Sequence, residues 1–477
     1  MSTHAAVYFF LLSTFYFPLS TKLLAMAMNE IRETIDHYHN LLDPQTAADT
    51  YAQLTEQQRK RGLYFGDRPL CTVLRPRFLS TREYRTLQTA IRTLMPAFAK
   101  AHQAAMADAD FRYQFRLNEW EEELVHIHPG FAATSPTARM DTFFDEADAL
   151  WLTEYNAETP AAVAYNDVLS EVFLALPVMR EFEKTYEVRP LPGRHHVLHV
   201  LLDCYRQWGG REKPRLAILD WHEVPTYSEF VLFRDYFHEH GYECIIADPR
   251  DVTYENGKLY AGGFPVNLIY KRVLLSELVA RGGLEHPVIR AVRDRAVCMV
   301  NPFACKVLHK KASLAVLSDE ANAGLFTAEE RAAIERHIPW TRLVTERKTV
   351  YRGQTVDLLP FLSQNKNDFV IKPNDEYGGK GIVLGWEVDQ SQWDAALRQA
   401  LVEPSIVQKR VPLPKFPYAS YIEGRVEIYD RMLDTNPYIW YGTYVCGCLT
   451  RLSTASLLNV TAGGGSTVPT FVVDKRF

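Results

Sequence analysis

Cysteine is scarce in this chain of 477 residues. The seven present, Cys71, Cys204, Cys244, Cys298, Cys305, Cys446 and Cys448, are odd in number and scattered. That excludes a disulfide framework and points to reduced thiols in a cytosolic protein. Cys446-Gly447-Cys448 has no second pair at zinc-like spacing, so a structural zinc is not expected there. Excess charge is also lacking: the formal net charge is -5. No strongly basic face is implied, which removes nucleic acid as a default partner. No internal repeat or low-complexity linker is apparent. Long apolar runs are missing too. Ala5 to Phe17 is apolar but shorter than the roughly 20 residues that cross a bilayer, and Pro18 interrupts it. No lysine or arginine precedes Lys22, so the basic start of a signal peptide is absent. Met26 and Met28 follow, and Asn29-Glu30-Ile31-Arg32 reads like an ordinary cytosolic start. Residues 1–27 are therefore read as an over-long start, with a membrane-tethering or export segment as the competing reading. The expectation is a cytoplasmic protein without a membrane partner, of undetermined oligomeric state.

What is present suits a globular protein of two or three domains, since the chain is too long for one hydrophobic core. Residues 28–130 read mainly as helices. Thr81 to Leu94 carries apolar positions at helical spacing, with Ser80 or Thr81 as the cap. Near residue 138 the pattern changes to two strands, Arg139–Phe144 and Leu150–Asn156, around a turn at residues 145–148. Side chains alternate faces along a strand, so Arg139 shares a face with Asp141, and Glu154 with Asn156. A turn centred near residues 147–148 sets Asp141 directly across from Glu154. Helical text follows from Pro160 to Phe182 and again from Arg194 to Trp208. His195, His196 and His199 in the latter belong to a solvated or core-edge face more readily than to a metal. Arg215–Asp220, a helix ending at His240 and Tyr242–Asp248 form a βαβ unit of an open parallel sheet, and Leu268–Arg272 is a further strand. Such sheets bind ligands beyond the carboxyl ends of their strands, where His222, Glu223, Ser228 and Glu229 fall.

Lys372 ends an apolar strand, Asp368–Lys372. A lysine held on a strand is a point charge suited to a phosphate. The loop Gly378-Gly379-Lys380-Gly381 lets backbone N–H groups approach phosphate oxygens with no Cβ in the way. It is not a Walker A loop, because no G-K-S/T opens a helix. Gln408 lies on a downstream strand suited to the adenine side. Asp141, Glu154 and Asn156 offer three hard oxygens of the kind magnesium prefers. Taken singly, each has a plainer reading: Arg139 and Asp141 as a surface ion pair, Glu154 and Asn156 as a strand end, the glycines as a turn. Their joint occurrence favours a nucleotide site. Asn459 with Gly463 to Gly465 is either a second anion loop or a plain turn.

Glu154-Tyr155-Asn156-Ala157-Glu158-Thr159-Pro160 is similar to the E-Y-N-A-D-T-P signature of the glutathionylspermidine synthase and trypanothione synthetase group, within the circularly permuted ATP-grasp superfamily. Arg139-Met140-Asp141 matches that group's R-x-D, and the segment Asn301 to Ala312 resembles its N-K-A helix. The tail departs from the group: Gly447 to Arg451 and Asn459 to Ser466 look more like other bacterial permuted ATP-grasp proteins. No amidase domain precedes. The order of the motifs, metal ligands before lysine and loop, reverses the ordinary ATP-grasp order. The resemblance implies an α/β (α+β) fold. Residues 131–210 and 301–477 would form the ATP-grasp part, and 211–300 a pre-ATP-grasp parallel-sheet substrate domain. It implies magnesium on Asp141, Glu154 and Asn156. ATP would lie on Lys311 (or adjacent Lys310), Lys372, Gly378, Gly379, Lys380, Gly381 and Gln408. Arg139 would steady the transferring phosphoryl group, and Arg272, with Arg451 and Glu229, would serve the acceptor. The implied activity is a Mg-ATP-dependent carboxylate–amine ligase working through an acyl phosphate. A small-molecule or peptide acid and an amine would be its substrates. A kinase on the same fold and a non-catalytic nucleotide-binding protein are the alternatives; the spermidine substrate is not carried over.

Overall fold

The computed structural model describes residues 21–145, 148–454 and 465–476, without side-chain detail before residue 30. The residues of the apolar start up to Ser20 and those of the Asn459–Gly464 loop lie outside the described residues. Among the described residues, no helix is long and apolar enough to cross a membrane.

The protein is a mixed α/β molecule of several sheets with helices packed between them. The long helix Thr81–Ala107 begins where the sequence places it. Ser80 accepts from the Glu83 amide at 3.2 Å, while its own amide donates to the Glu83 carboxylate at 2.7 Å, a reciprocal cap. Its buried stripe, Leu87, Ile91, Leu94, Phe98, Ala101 and Ala105, keeps the three- and four-residue spacing of one helix face.

The largest sheet has nine strands. Its main path runs Lys415–Ile422, Arg425–Leu433, Tyr444–Ser453, Asn436–Trp440, Thr137–Phe144, Leu150–Asn156. Strand Ser466–Lys475 pairs with Tyr444–Ser453 and then continues between Arg77–Leu79 and Tyr186–Pro190. A second sheet holds Cys298–Val300, Leu268–Lys271, Leu216–Leu219 and Cys244–Ala247, all parallel. Those strands are short apolar runs, as expected where helices cover both faces of a sheet. A third, antiparallel sheet orders Thr341–Leu343, Ser405–Lys409, Phe369–Pro373 and Val383–Leu384.

Two expectations change in detail. The helical stretch from Pro160 to Phe182 is two helices, Val163–Ala175 and Pro177–Phe182. Leu176 is extended (ψ 143°) ahead of Pro177, the conformation a following proline favours. The Asn301–Ala312 segment is likewise broken, into Cys305–His309 and Ala312–Ser318.

Candidate functional site

The antiparallel hairpin pairs Arg139 with Asn156 and Asp141 with Glu154, followed by a bulge between Asp141 and Thr142. Asn301 anchors it: its amide accepts from the Thr137 backbone at 3.1 Å and donates to the carbonyls of Thr137, Ala157 and Glu158 at 2.7, 2.9 and 3.0 Å. Asp141 is buried between two guanidinium groups, Arg139 Nε at 2.8 Å and Arg451 Nη2 at 2.7 Å. Arg451 also grips Asp434 at 2.6 Å. Burial alone would raise the Asp141 carboxyl, but Arg139 and Arg451 hold it well below its usual range. Asn156 turns its Nδ2 to Asp141 Oδ1 at 2.9 Å, which frees its own oxygen. Glu154, lowered against burial chiefly by Lys311, meets that lysine at 3.0 Å.

Lys372 donates to Gln408 Oε1 at 2.8 Å and to the Thr153 carbonyl at 3.1 Å, so the lysine strand sits against the hairpin. Burial pushes its ammonium down to about 8 despite the pull of Glu154. Asn374, two residues on, accepts the Lys311 and Ala312 amides, at 2.9 Å on its backbone carbonyl and 2.8 Å on its side chain. Lys311 therefore stands at the helix break beside Glu154. Lys310 instead turns to Glu121 and Asp375, at 2.7 and 3.0 Å.

One cavity of about 1100 Å³ is lined by Arg139, Asp141, Glu154, Asn156, Arg272, Lys372, Gly378, Gly379 and Gln408. Gly378, Gly379 and Gly381 all have positive φ, the conformation that favours glycine. Lys380 points to solvent and pairs with Glu376 at 3.3 Å, so the cavity wall comes from Gly378 and Gly379. Arg272 lines the cavity with its guanidinium engaged by the Pro160 carbonyl, Tyr270 OH and Glu229. At one end the wall is apolar, with Val370, Ile382, Leu384 and Trp386. The Arg410 guanidinium stacks 4.1 Å over Trp386.

Several lining residues carry no local signal in the sequence. Asp434 is defined only by its pairing with Arg451. Phe65 and Leu70 reach the cavity from the N-terminal helical region, which reads as scaffold. In helix Arg194–Trp208, His195 packs against His196 and edge-on against His199, and His196 stacks on Trp440. Among the described residues, no cluster of three or more His, Cys, Asp or Glu side chains is arranged to hold a metal. The donor set at the hairpin is of another kind, two carboxylates and an amide oxygen, with the Lys311 ammonium already beside Glu154. These are hard oxygens of the class magnesium prefers, here engaged by Arg139, Arg451 and Lys311.

The mixed α/β architecture has a likeness among solved structures. No family model matches the sequence, and no curated protein does. Among solved structures, the chain is similar to a glutathione synthetase-like effector from Globodera pallida in its apo form. The TM-score is 0.57 at 11% identity, over 91% of this chain and 99% of that one. A protein of Methylobacillus flagellatus provisionally assigned as a gamma-glutamylcysteine synthetase aligns at TM-score 0.42 and 12% identity, over 82% of this chain and 88% of that one. The last similarity is too distant to carry an argument; the first establishes the shared fold alone.

Proposed function

We propose that the protein is a Mg-ATP-dependent ligase that joins a carboxylate to an amine through an acyl phosphate, on a circularly permuted ATP-grasp fold related to the glutathionylspermidine synthase group. The observation that carries this reading is the meeting of Asp141, Glu154 and Asn156 with Lys372, Gly378 and Gly379 around one cavity. A volume near 1100 Å³ exceeds the roughly 300–1,000 Å³ that holds one drug-sized ligand, leaving room for nucleotide and acceptor together. The glutathione synthetase likeness of the Globodera protein agrees with amide formation. The domain division given by the sequence and a cytoplasmic location complete the proposal.

Bound Mg-ATP supplies a phosphoryl group for a carboxylate oxygen and a cation to balance its charge. The chain's own residues do the positioning. Asp141, held by two arginines, and Glu154, held by Lys311, would exchange part of those contacts for the cation. Asn156 presents its amide oxygen on the same strand face. Lys372 and Lys311 hold phosphate charge, and the Gly378–Gly379 backbone closes over it. Trp386, Val370, Ile382 and Leu384 offer the base an apolar slot, with Gln408 at its polar edge.

The test is release of ADP and phosphate from ATP with pooled amino acids, polyamines and short peptides. A ligase releases both only when an acid and an amine are present. Phosphate retained on a stable product would make the protein a kinase. ATP bound without turnover over the whole pool would make it a binding protein.

A further inference from the structure

The cavity has a second wall, made by the parallel sheet. Asp220 follows the carboxyl end of strand Leu216–Leu219, and Glu277 lies on helix Leu275–Gly282; both line the cavity. Asp220 is only 6% exposed. One of its oxygens accepts the Trp221 amide at 2.8 Å. Glu277 is held in place by two neutral donors, Trp221 Nε1 and Tyr377 OH, each at 3.1 Å. Neither carboxylate forms an ion pair with any described residue. The nearby cations are engaged elsewhere: Lys271 with Glu158 at 3.1 Å, Arg272 with Glu229 at 3.6 Å, Arg281 with Glu223 at 2.7 Å. Burial pushes the Asp220 carboxyl up to about 6, against the Trp221 amide and the more distant charge of Arg272, with Glu277 adding repulsion.

Two acids without a counter-ion on a cavity wall are costly unless a positive group comes to them. We propose that Asp220 and Glu277 seat the substrate's primary ammonium group, with Asp220 as the acceptor of its proton. The inference rests on the ligase reading. Asp220 takes one proton from the ammonium, leaving the nitrogen lone pair free. That pair attacks the acyl carbon and the C–N bond forms. The C–O bond to phosphate then breaks, phosphate leaves with the electron pair, and it carries away the second amine proton. Tyr377 belongs to the glycine-loop segment, so its bond to Glu277 ties the phosphate side of the cavity to this seat.

The experiment has two arms, on the full chain with Mg-ADP or Mg-ATP. In the first, calorimetry measures binding of n-butylamine and glycinamide. Asp220→Asn and Glu277→Gln should each weaken it by about tenfold or more, as loss of a hydrogen bond to a charged group does. Equal binding by wild type and both variants overturns the proposal. In the second, hydroxylamine, uncharged near neutral pH, replaces the amine, and hydroxamate is measured across the pooled acids. Asp220→Asn should keep hydroxamate formation within about twofold while losing roughly 100-fold with primary ammonium substrates. Equal losses with both nucleophiles overturn the base assignment. If wild type makes hydroxamate from no acid, the ligase reading fails, and the binding arm alone decides the ammonium seat.

Discussion

Glu154 and Asp141 face each other across one strand pair yet predict different mutant behaviour. Glu154 has a single lysine partner and faces the cavity, so Glu154→Gln should keep the fold and lower turnover by roughly 10³-fold, the scale of losing one preorganised charge. Unchanged ADP release in that variant would remove Glu154 from the metal set. Asp141 is enclosed by Arg139 and Arg451. Asp141→Asn leaves buried guanidinium charge uncompensated and should destabilise the protein by about 3–5 kcal/mol, read from denaturant midpoints at constant slope. Lys372 gives a pH signature. Its folded pKa of about 8 lies below its unfolded value, so between the two the unfolded chain binds the extra proton and stability rises with pH. Nucleotide binding favours the charged form, so ATP affinity should fall as pH rises through about 8. Binding just above that pH should take up a proton, visible as a buffer-dependent heat in calorimetry. Lys372→Met should abolish the proton uptake; its persistence would mean another group responds to the nucleotide.

At the scale of elements, the glycine loop has little room where it returns to the lysine strand. A Cβ on Gly381 would lie 2.7 Å from Pro373 Cγ, at a φ of +71°. Gly381→Ala should therefore displace the loop from the end of the lysine strand and raise KM for ATP by about tenfold, an effect of 1–2 kcal/mol for a left-handed residue. An unaltered KM would show that the loop's shape does not serve the nucleotide. The hairpin was the most legible element, because antiparallel register follows closely from the turn centre, although a bulge between Asp141 and Thr142 completes the Asp141–Glu154 pairing. The parallel strands were legible for a similar reason: short apolar runs alternate with an amphipathic helix. Arg77–Leu79 was not. Three residues carry no periodicity, and their partner is Thr470 to Val472, far away in the chain. The sequence marks Arg451 only for the acceptor; its clamp on Asp141 has no local signal, because the contact depends on how three strands are ordered in space. Lys310 and Lys311 could not be separated until the helix break between His309 and Ala312 turned them in different directions.

Across the whole molecule, buried ionisable groups join the parts. Glu158, from the hairpin motif, is 1% exposed and sits between Lys271 of the parallel sheet and Lys306 of the Cys305–His309 helix, both at 3.1 Å. Lys306 continues to Asp375 at 2.7 Å, beside the glycine loop. Burial also lowers His102, His196 and His309 to about 4, each neutral in the fold. A histidine whose folded pKa is depressed loses its contribution as pH falls below the unfolded value of 6.5. The melting temperature should therefore decline steadily from about pH 6.5 toward pH 4 rather than staying level until the carboxylates titrate. His309→Gln should flatten part of that decline. A flat profile down to pH 5 would mean these rings are protonated in the fold.

The strand at residues 466–475 bears on how the chain reaches this shape. It is the only described neighbour that Arg77–Leu79 and Tyr186–Pro190 have in their sheet, and it is made hundreds of residues after the first of them. On the ribosome, both earlier segments must wait with open hydrogen-bonding edges until this strand has emerged. Closure of this part of the sheet thus comes late relative to synthesis of its first strand, and the nascent protein should depend on chaperones that shield such edges.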